Sequence, residues 1–188
     1  QVRSIIIIEL KFTRDMLVLL KTLKGQRFVS CEKEKNIAND NSTYGNIRIN
    51  FENISIDLVN EQEIIEGFEE ELACFSCVKV DANKKFVPTA AVETEIIPIN
   101  GKVEKIEIVT DTIDLNHGET IIESDSAVSF YTDCGCYTFA RTVWFSEVIY
   151  VLIDKSYDNV WPIPSVVESW SNEGENDATV NRKVTEIV

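Results

Sequence analysis

From residue 45 the chain alternates apolar and polar positions at a period of two. Ile47, Ile49 and Phe51 alternate, Glu52-Asn53 interrupts, and Ile54, Ile56 and Leu58 resume the pattern. Successive side chains of a strand point to opposite faces, so this text predicts a hairpin with one buried face. Similar text recurs at 72–80, 92–97, 103–109, 111–115, 119–123, 127–132 and 136–142, and again from Thr179 to Val188. Ser4 to Leu10 reads as a buried strand. Val143 to Ile153 fits a helix face as well, but its β-branched and aromatic content favours a strand.

The period changes to that of a helix only twice. Thr13 offers an N-cap, Met16, Leu17, Leu19, Leu20 and Leu23 form one stripe, and Gly25 ends the run. Asp15 in the first turn and Lys21 and Lys24 in the last suit the helix dipole. Its basic outer edge, continued by Arg27, Lys33 and Lys35, is expected to face solvent or the acidic body. After Pro162 and Pro164, Ser165 with Glu168 reads as a capping box for a short helix holding Val166, Val167 and Trp170. The expected fold is α+β, mainly antiparallel β, sandwich or barrel-like, with one N-terminal helix and one short C-terminal helix. At 188 residues the chain is long enough to bury a full core as a single domain.

A shift of 57 residues adds an organisational expectation. It superposes Ile49, Ile56, Asp57, Leu58, Ile64, Ile65, Glu66 and Cys77 on Ile106, Ile113, Asp114, Leu115, Ile121, Ile122, Glu123 and Cys134. Eight identities in 29 positions, against about two from composition, predict two related β-units over 45–80 and 102–137.

Charge then narrows the function. Thirty-two acidic residues oppose eighteen basic ones, giving a net charge of −14. Residues 1–35 carry +4 and residues 36–188 carry −18. Such a field repels nucleic-acid phosphates and anionic lipid and attracts basic proteins or peptides. The apolar run Ile5–Ile8 is far shorter than the roughly 20 residues of a membrane span, and no signal-peptide pattern is visible. An odd count of five cysteines, none at disulfide-framework spacing, predicts free thiols in a reducing, cytoplasmic setting.

Glu61, Glu63, Glu66, Glu69, Glu70 and Glu71 crowd eleven residues around Ile64, Ile65 and Phe68. The bland reading is a solvated connection. The sharper one is a partner-binding edge of Glu66, Glu69, Glu70 and Glu71 with Phe68 as an apolar anchor.

The other candidates carry less. Cys74, Cys77, Cys134 and Cys136 supply four thiolates for zinc, but Cys74 and Cys77 lie in strand text, where positions three apart face opposite ways. Core thiols are the preferred reading, and no cofactor is expected. Redox use of Cys134 and Cys136 is disfavoured by Asp133, which raises a thiol pKa. His117, the one histidine, sits in an Asn-His-Gly turn with no nucleophile signature around it. Asp40 to Gly45 begins like an EF-hand but has Phe51 where the bidentate Glu belongs, and the seven glycines form no phosphate loop.

Two functions lead, with a structural role in a larger assembly as a third. The first is a non-catalytic acidic module that binds a basic protein or peptide, as an inhibitor or immunity protein does. The second is an enzyme or ligand binder in which carboxylates from Asp111, Asp114, Glu119, Glu123 and Asp125 meet Trp144, Trp161 and Trp170 in a cleft between sheets.

Overall fold

The computed structural model describes residues 4–35, 41–81, 83–90 and 93–188. In chain order the elements are β1 (Ile6–Leu10), α1 (Arg14–Thr22), β2 (Arg27–Glu34), β3 (Ser42–Tyr44), β4 (Asn46–Phe51), β5 (Ser55–Ile64) and β6 (Glu71–Val80). They continue with β7 (Thr94–Leu115), β8 (Thr120–Thr132), β9 (Gly135–Ala140), β10 (Val148–Ile153), α2 (Tyr157–Val160), α3 (Ile163–Ser171) and β11 (Ala178–Glu186). The fold is α+β and mostly antiparallel sheet, and the sheet does not close.

The strands run in the order β3-β10-β9-β8-β7-β2-β4-β5-β6, with β1 beside β8 and β11 beside β7. The 22-residue β7 links the two halves. Its first part pairs with β2 from Thr94 to Lys102, and its second with β8 from Val103 to Leu115. The expected segments 103–109 and 111–115 are thus one strand, carried across a register shift between Val109 and Thr110. The hairpin β4–β5 has the expected register, with Ile49 opposite Ile56 and Asn50 opposite Ser55. β1 adds the one parallel pair among these registers, Ile6 to Leu10 along Thr120 to Ser124.

One crossing between the sheet halves, from β3 to β4, is made by a single residue, Gly45. Its φ of +79° is strained for an L side chain, and a Cβ there would lie 2.4 Å from the Thr89 hydroxyl. Gly45 N donates to Glu147 O at 3.0 Å and its carbonyl accepts from Asn60 N at 2.8 Å, so the crossing is fixed from both sides.

The largest apolar cluster joins the two halves. Phe28, Ile47, Ile49, Phe51, Ile56, Leu58 and Phe75 meet Ile106, Ile108, Val128, Phe130, Phe139 and Val151. Leu20 of α1 and Leu23 at its C-cap close its end, and Thr13 caps that helix by accepting from Met16 N at 3.3 Å. A second cluster lies under α3, where Val166 and Trp170 pack on Ile8, Leu10, Leu72, Ile113, Leu115 and Ile122.

Between the clusters runs a buried polar seam. Arg182 of β11 stands opposite Asp111 of β7 and grips its carboxylate with two hydrogen bonds, 2.7 and 2.9 Å. Its remaining nitrogen donates to Asp158 Oδ1 at 2.7 Å and to the Trp161 carbonyl at 2.8 Å. The Tyr157 ring lies 4.5 Å beneath the guanidinium, and its hydroxyl donates to the Arg141 carbonyl at 2.8 Å. Arg141 is itself buried, donating to the Ala73 carbonyl, Ser124 Oγ and the Asp125 carbonyl. Asp125 accepts from Phe12 N at 2.8 Å and Thr110 Oγ1 at 2.7 Å. Two cations and two buried carboxylates thus share one seam, with hydrogen bonds offsetting desolvation.

Several expectations are corrected. β1 is only half buried: Ile8 and Leu10 point inward while Ile5 and Ile7 are 63% and 69% exposed, because one face of this strand meets solvent. Lys33 is not on a basic outer edge. It is fully buried, with Nζ donating to the carbonyls of Glu34 and Ser42 at 3.0 Å each and paired with Glu95 at 2.6 Å. Residues 143–147 precede β10 instead of belonging to it. The α3 N-cap is Pro162, which places Ser165 inside the helix and leaves the capping box unformed. The four-residue α2 has no counterpart in the sequence reading. The 57-residue shift lays the Glu52-Asn53 turn on Val109-Thr110 inside β7, and the last part of β5 on the β7–β8 turn.

Candidate functional site

A cleft of about 600 Å³ opens where the β5–β6 connection, the β7–β8 turn and the end of α3 converge. Its walls include Phe68, Glu69, Glu70, Glu119, Trp144, Trp170 and Glu175. Among the described residues no Lys, Arg or His lines it.

Local chemistry positions each wall. At the β7–β8 turn, Asn116, His117 and Gly118 take φ values of 55°, 57° and 85°. Asp114 Oδ1 holds this turn by accepting from Gly118 N at 2.6 Å. Asn116 then ties the turn to the chain entering β11. Its N–H donates to the Asp177 carbonyl at 2.7 Å, and its Oδ1 accepts from Asp177 N at 3.0 Å. α3 ends as Asn172, Glu173 and Gly174 enter left-handed backbone, a conformation Asn and Gly tolerate best. Asn172 Nδ2 donates to the Glu175 carboxylate, and Asn176 Nδ2 to the Trp170 carbonyl at 3.3 Å.

The aromatic floor is equally fixed. Trp144 donates its indole N–H to the Ser169 carbonyl at 3.0 Å, and its own carbonyl accepts from Ala73 N at 2.9 Å. These bonds tie it to both α3 and β6. Trp170 packs against it at 5.8 Å with the rings tilted by 30°.

The predicted acidic edge divides between cleft and solvent. Glu69 and Glu70 line the cleft, whereas Glu66 and Glu71 are exposed outside its lining, Glu71 opening β6 opposite Ile64. Among the described residues no Lys, Arg or His forms an ion pair with any of these four. Phe68 sits beside Glu69 in the cleft wall. It packs half-buried against the second core cluster and forms part of the cleft wall, because the turn that joins Phe68 N to Ile65 O folds the ring inward.

The carboxylate cluster of the enzymatic reading disperses. Asp111 is gripped by Arg182, Asp114 holds its turn, and Glu123 pairs with Lys11 at 3.3 Å. Asp125 is buried in the seam, and Glu119 alone reaches the cleft. Burial raises the Asp125 pKa, although the bonds from Thr110 and Phe12 and the charges of Lys11 and Arg141 oppose this. Arg182 is raised despite burial, which works against its charge, because Asp111 and Asp158 hold it protonated. Neither Asp111 nor Asp125 lines the cleft.

The four sulfurs of the zinc alternative are scattered. Cys77 belongs to the first core cluster, Cys74 packs against the second, and Cys134 is exposed at the β8–β9 turn. Strand alternation sends Cys74 and Cys77 to opposite faces, and that separates them. Burial pushes the Cys77 thiol up to about 12 and the Cys74 thiol up to about 11. Cys134 and Cys136 are raised too, first by desolvation and then, at Cys134, by Asp133. His117 stands exposed on its turn, 2.9 Å from Asp177. Asp40 of the EF-hand comparison lies outside the described residues.

The structure therefore places the tryptophans of one reading beside the glutamates of the other. Glu175 and Asn172 join them, although nothing in the sequence brings their segment to residue 69. No protein-family model matches the chain, and no curated protein or solved structure does. No helix among the described residues is long and apolar enough to cross a membrane.

Proposed function

We propose that this protein is a non-catalytic interaction module that docks a basic protein or peptide in the cleft around Trp144. The lining supports the reading: glutamates from two walls, two indoles on the floor and no cation among the described residues. An ammonium or guanidinium entering it is attracted by the carboxylates and by the ring quadrupoles together. The net charge of −14 adds long-range steering toward basic partners and away from nucleic acid. An inhibitory or immunity-type role uses the same charge logic, and five free cysteines suit a reducing cytoplasm.

An enzymatic reading draws less support. It needs poised carboxylates in a cavity, and the two buried ones, Asp111 and Asp125, are committed to internal partners.

Calorimetric titration with a short oligo-arginine peptide tests the proposal against an oligo-glutamate control. Binding of the basic peptide alone, weakened about tenfold by Glu69→Gln/Glu70→Gln, is expected. Equal binding by that variant would remove the cleft as the docking site.

A further inference from the structure

Four strands of the open sheet have a single strand neighbour among the described residues: β1, β3, β6 and β11. Such an edge presents unpaired amide and carbonyl groups that template pairing with another chain, and folded proteins normally blunt it. Three of the four are blunted. β3 is only three residues long. β6 carries the exposed Lys79, and its Ala73 amide and carbonyl are taken by the Trp144 carbonyl and by Arg141. β11 carries Arg182 and the exposed Lys183.

β1 has none of these devices. It holds no proline, glycine or cation, and its register with β8 runs unbroken from Ile6 to Leu10. Ile6 N donates to Glu119 O at 3.0 Å, so the even-numbered residues direct their main-chain groups to β8. Alternation turns those of Ile7 and Glu9 to the open side, where they meet no partner among the described residues. The side chains along that edge are apolar: Ile5 and Ile7 are exposed, and Ile7 lies beside the half-buried Ile121. Glu9 follows on the same face, beside Glu123 in the ladder. Lys11 pairs with Glu123, and no Lys, Arg or His among the described residues forms an ion pair with Glu9.

We infer that β1 is an addition site for a strand of a partner: an extended segment, antiparallel to β1, with an apolar residue opposite Ile7 and a lysine or arginine opposite Glu9. Antiparallel pairing is the more stable arrangement per residue, and it places the basic residue first. The motif is then basic-x-apolar-x-apolar against Glu9, Ile7 and Ile5. Main-chain bonds to Ile7 and Glu9 supply affinity, and the alternate side chains supply specificity. Charge selects this occupant over a second copy. Pairing two copies through β1 brings together two chains of −14 each, whereas a basic segment is steered inward. Ile7 and Glu9 lie outside the lining of the cleft around Trp144, so strand addition does not depend on docking there.

The test uses the labelled peptide Thr-Arg-Thr-Val-Thr-Val-Thr and two N-methylated forms of it, followed by fluorescence anisotropy at low salt. Methylation of the central valine removes the amide that faces Ile7, and methylation of the threonine after it removes one that faces away. The first form is expected to bind about tenfold more weakly than the parent, and the second as tightly as the parent. Ile7→Lys, a change at an exposed side chain, should weaken the parent peptide about tenfold as well. Glu9→Gln should abolish the advantage of arginine over alanine at the second peptide position. Equal affinity of the two methylated forms, unchanged binding by Ile7→Lys, or no binding of any peptide overturns strand addition at β1. Loss of binding in Glu69→Gln/Glu70→Gln with Ile7→Lys unaffected assigns the peptide to the cleft, overturning strand addition and leaving docking in the cleft standing. A dimer in sedimentation velocity that Ile7→Lys dissolves makes the occupant a second copy and overturns the partner strand.

Discussion

In the seam between β7 and β11, Arg182 is held by Asp111, Asp158 and the Trp161 carbonyl, while in the cleft around Trp144 neither Glu69 nor Glu70 meets a cation among the described residues. The two regions use the same chemical groups within one fold. In the seam Arg182 and Asp111 are out of water and fixed on each other, so these residues carry stability. In the cleft Glu69 and Glu70 are exposed and meet no cation among the described residues, so their energy is available to an incoming group. Internal pairing thus separates structural charges from candidate binding charges more sharply than sequence position does.

Breaking the seam should have the largest effect. Arg182→Ala leaves Asp111 buried without its counter-charge, and a loss of about 3–5 kcal/mol is expected in urea unfolding. Replacing both partners together, as Asp111→Leu with Arg182→Met, should cost less than the single change. A second buried cation offers a milder version of the same test. Lys33→Met removes the donor to the Glu34 and Ser42 carbonyls and should cost about 1–3 kcal/mol.

On the cleft side the sign of the comparison reverses. Glu69→Gln/Glu70→Gln should leave the urea midpoint unchanged, since those side chains touch no internal cation. A fall in the midpoint comparable to that of Lys33→Met would show that they are structural after all.

The smallest effect concerns the thiols. With Cys74 at about 11 and Cys77 at about 12, the thiolate fractions at pH 8 are roughly 10⁻³ and 10⁻⁴. A thiol reagent at pH 8 should therefore label Cys134 first and leave Cys77 and Cys31 untouched until unfolding. Labelling should speed up as pH rises, because a raised pKa lowers the reactive fraction below it. Mass mapping that finds Cys77 modified first in the native protein would contradict the core assignment.

Much of the fold was readable because its signals are local. The β4–β5 hairpin and α1 follow from periodicity and from Thr13, and both stand where the pattern puts them. β7 was read as three strands and β8 as two, since a register shift interrupts alternation without ending a strand. Ser165 and Glu168 matched a capping box, but Pro162 had already started the helix. The candidate site was legible in parts only. Glu69 and Glu70 were visible as a charge run and Trp144 and Trp170 as aromatics, yet their meeting depends on contacts between segments 75 and 100 residues apart. Lys33 and Arg182 were unreadable as buried cations for the same reason. Their partners, Glu95 and Asp111, are distant in sequence and become neighbours only through strand pairing.

The most direct test of the account is the salt dependence of basic-peptide binding, measured in parallel for the wild type and for Glu69→Gln/Glu70→Gln. Wild-type affinity should fall steeply between about 0.05 and 0.5 M salt, where the screening length contracts from above 10 Å to a few ångströms, and the variant should show both weaker binding and a shallower slope. Identical slopes for the two proteins, or wild-type binding that persists undiminished at about 0.5 M salt, would contradict it.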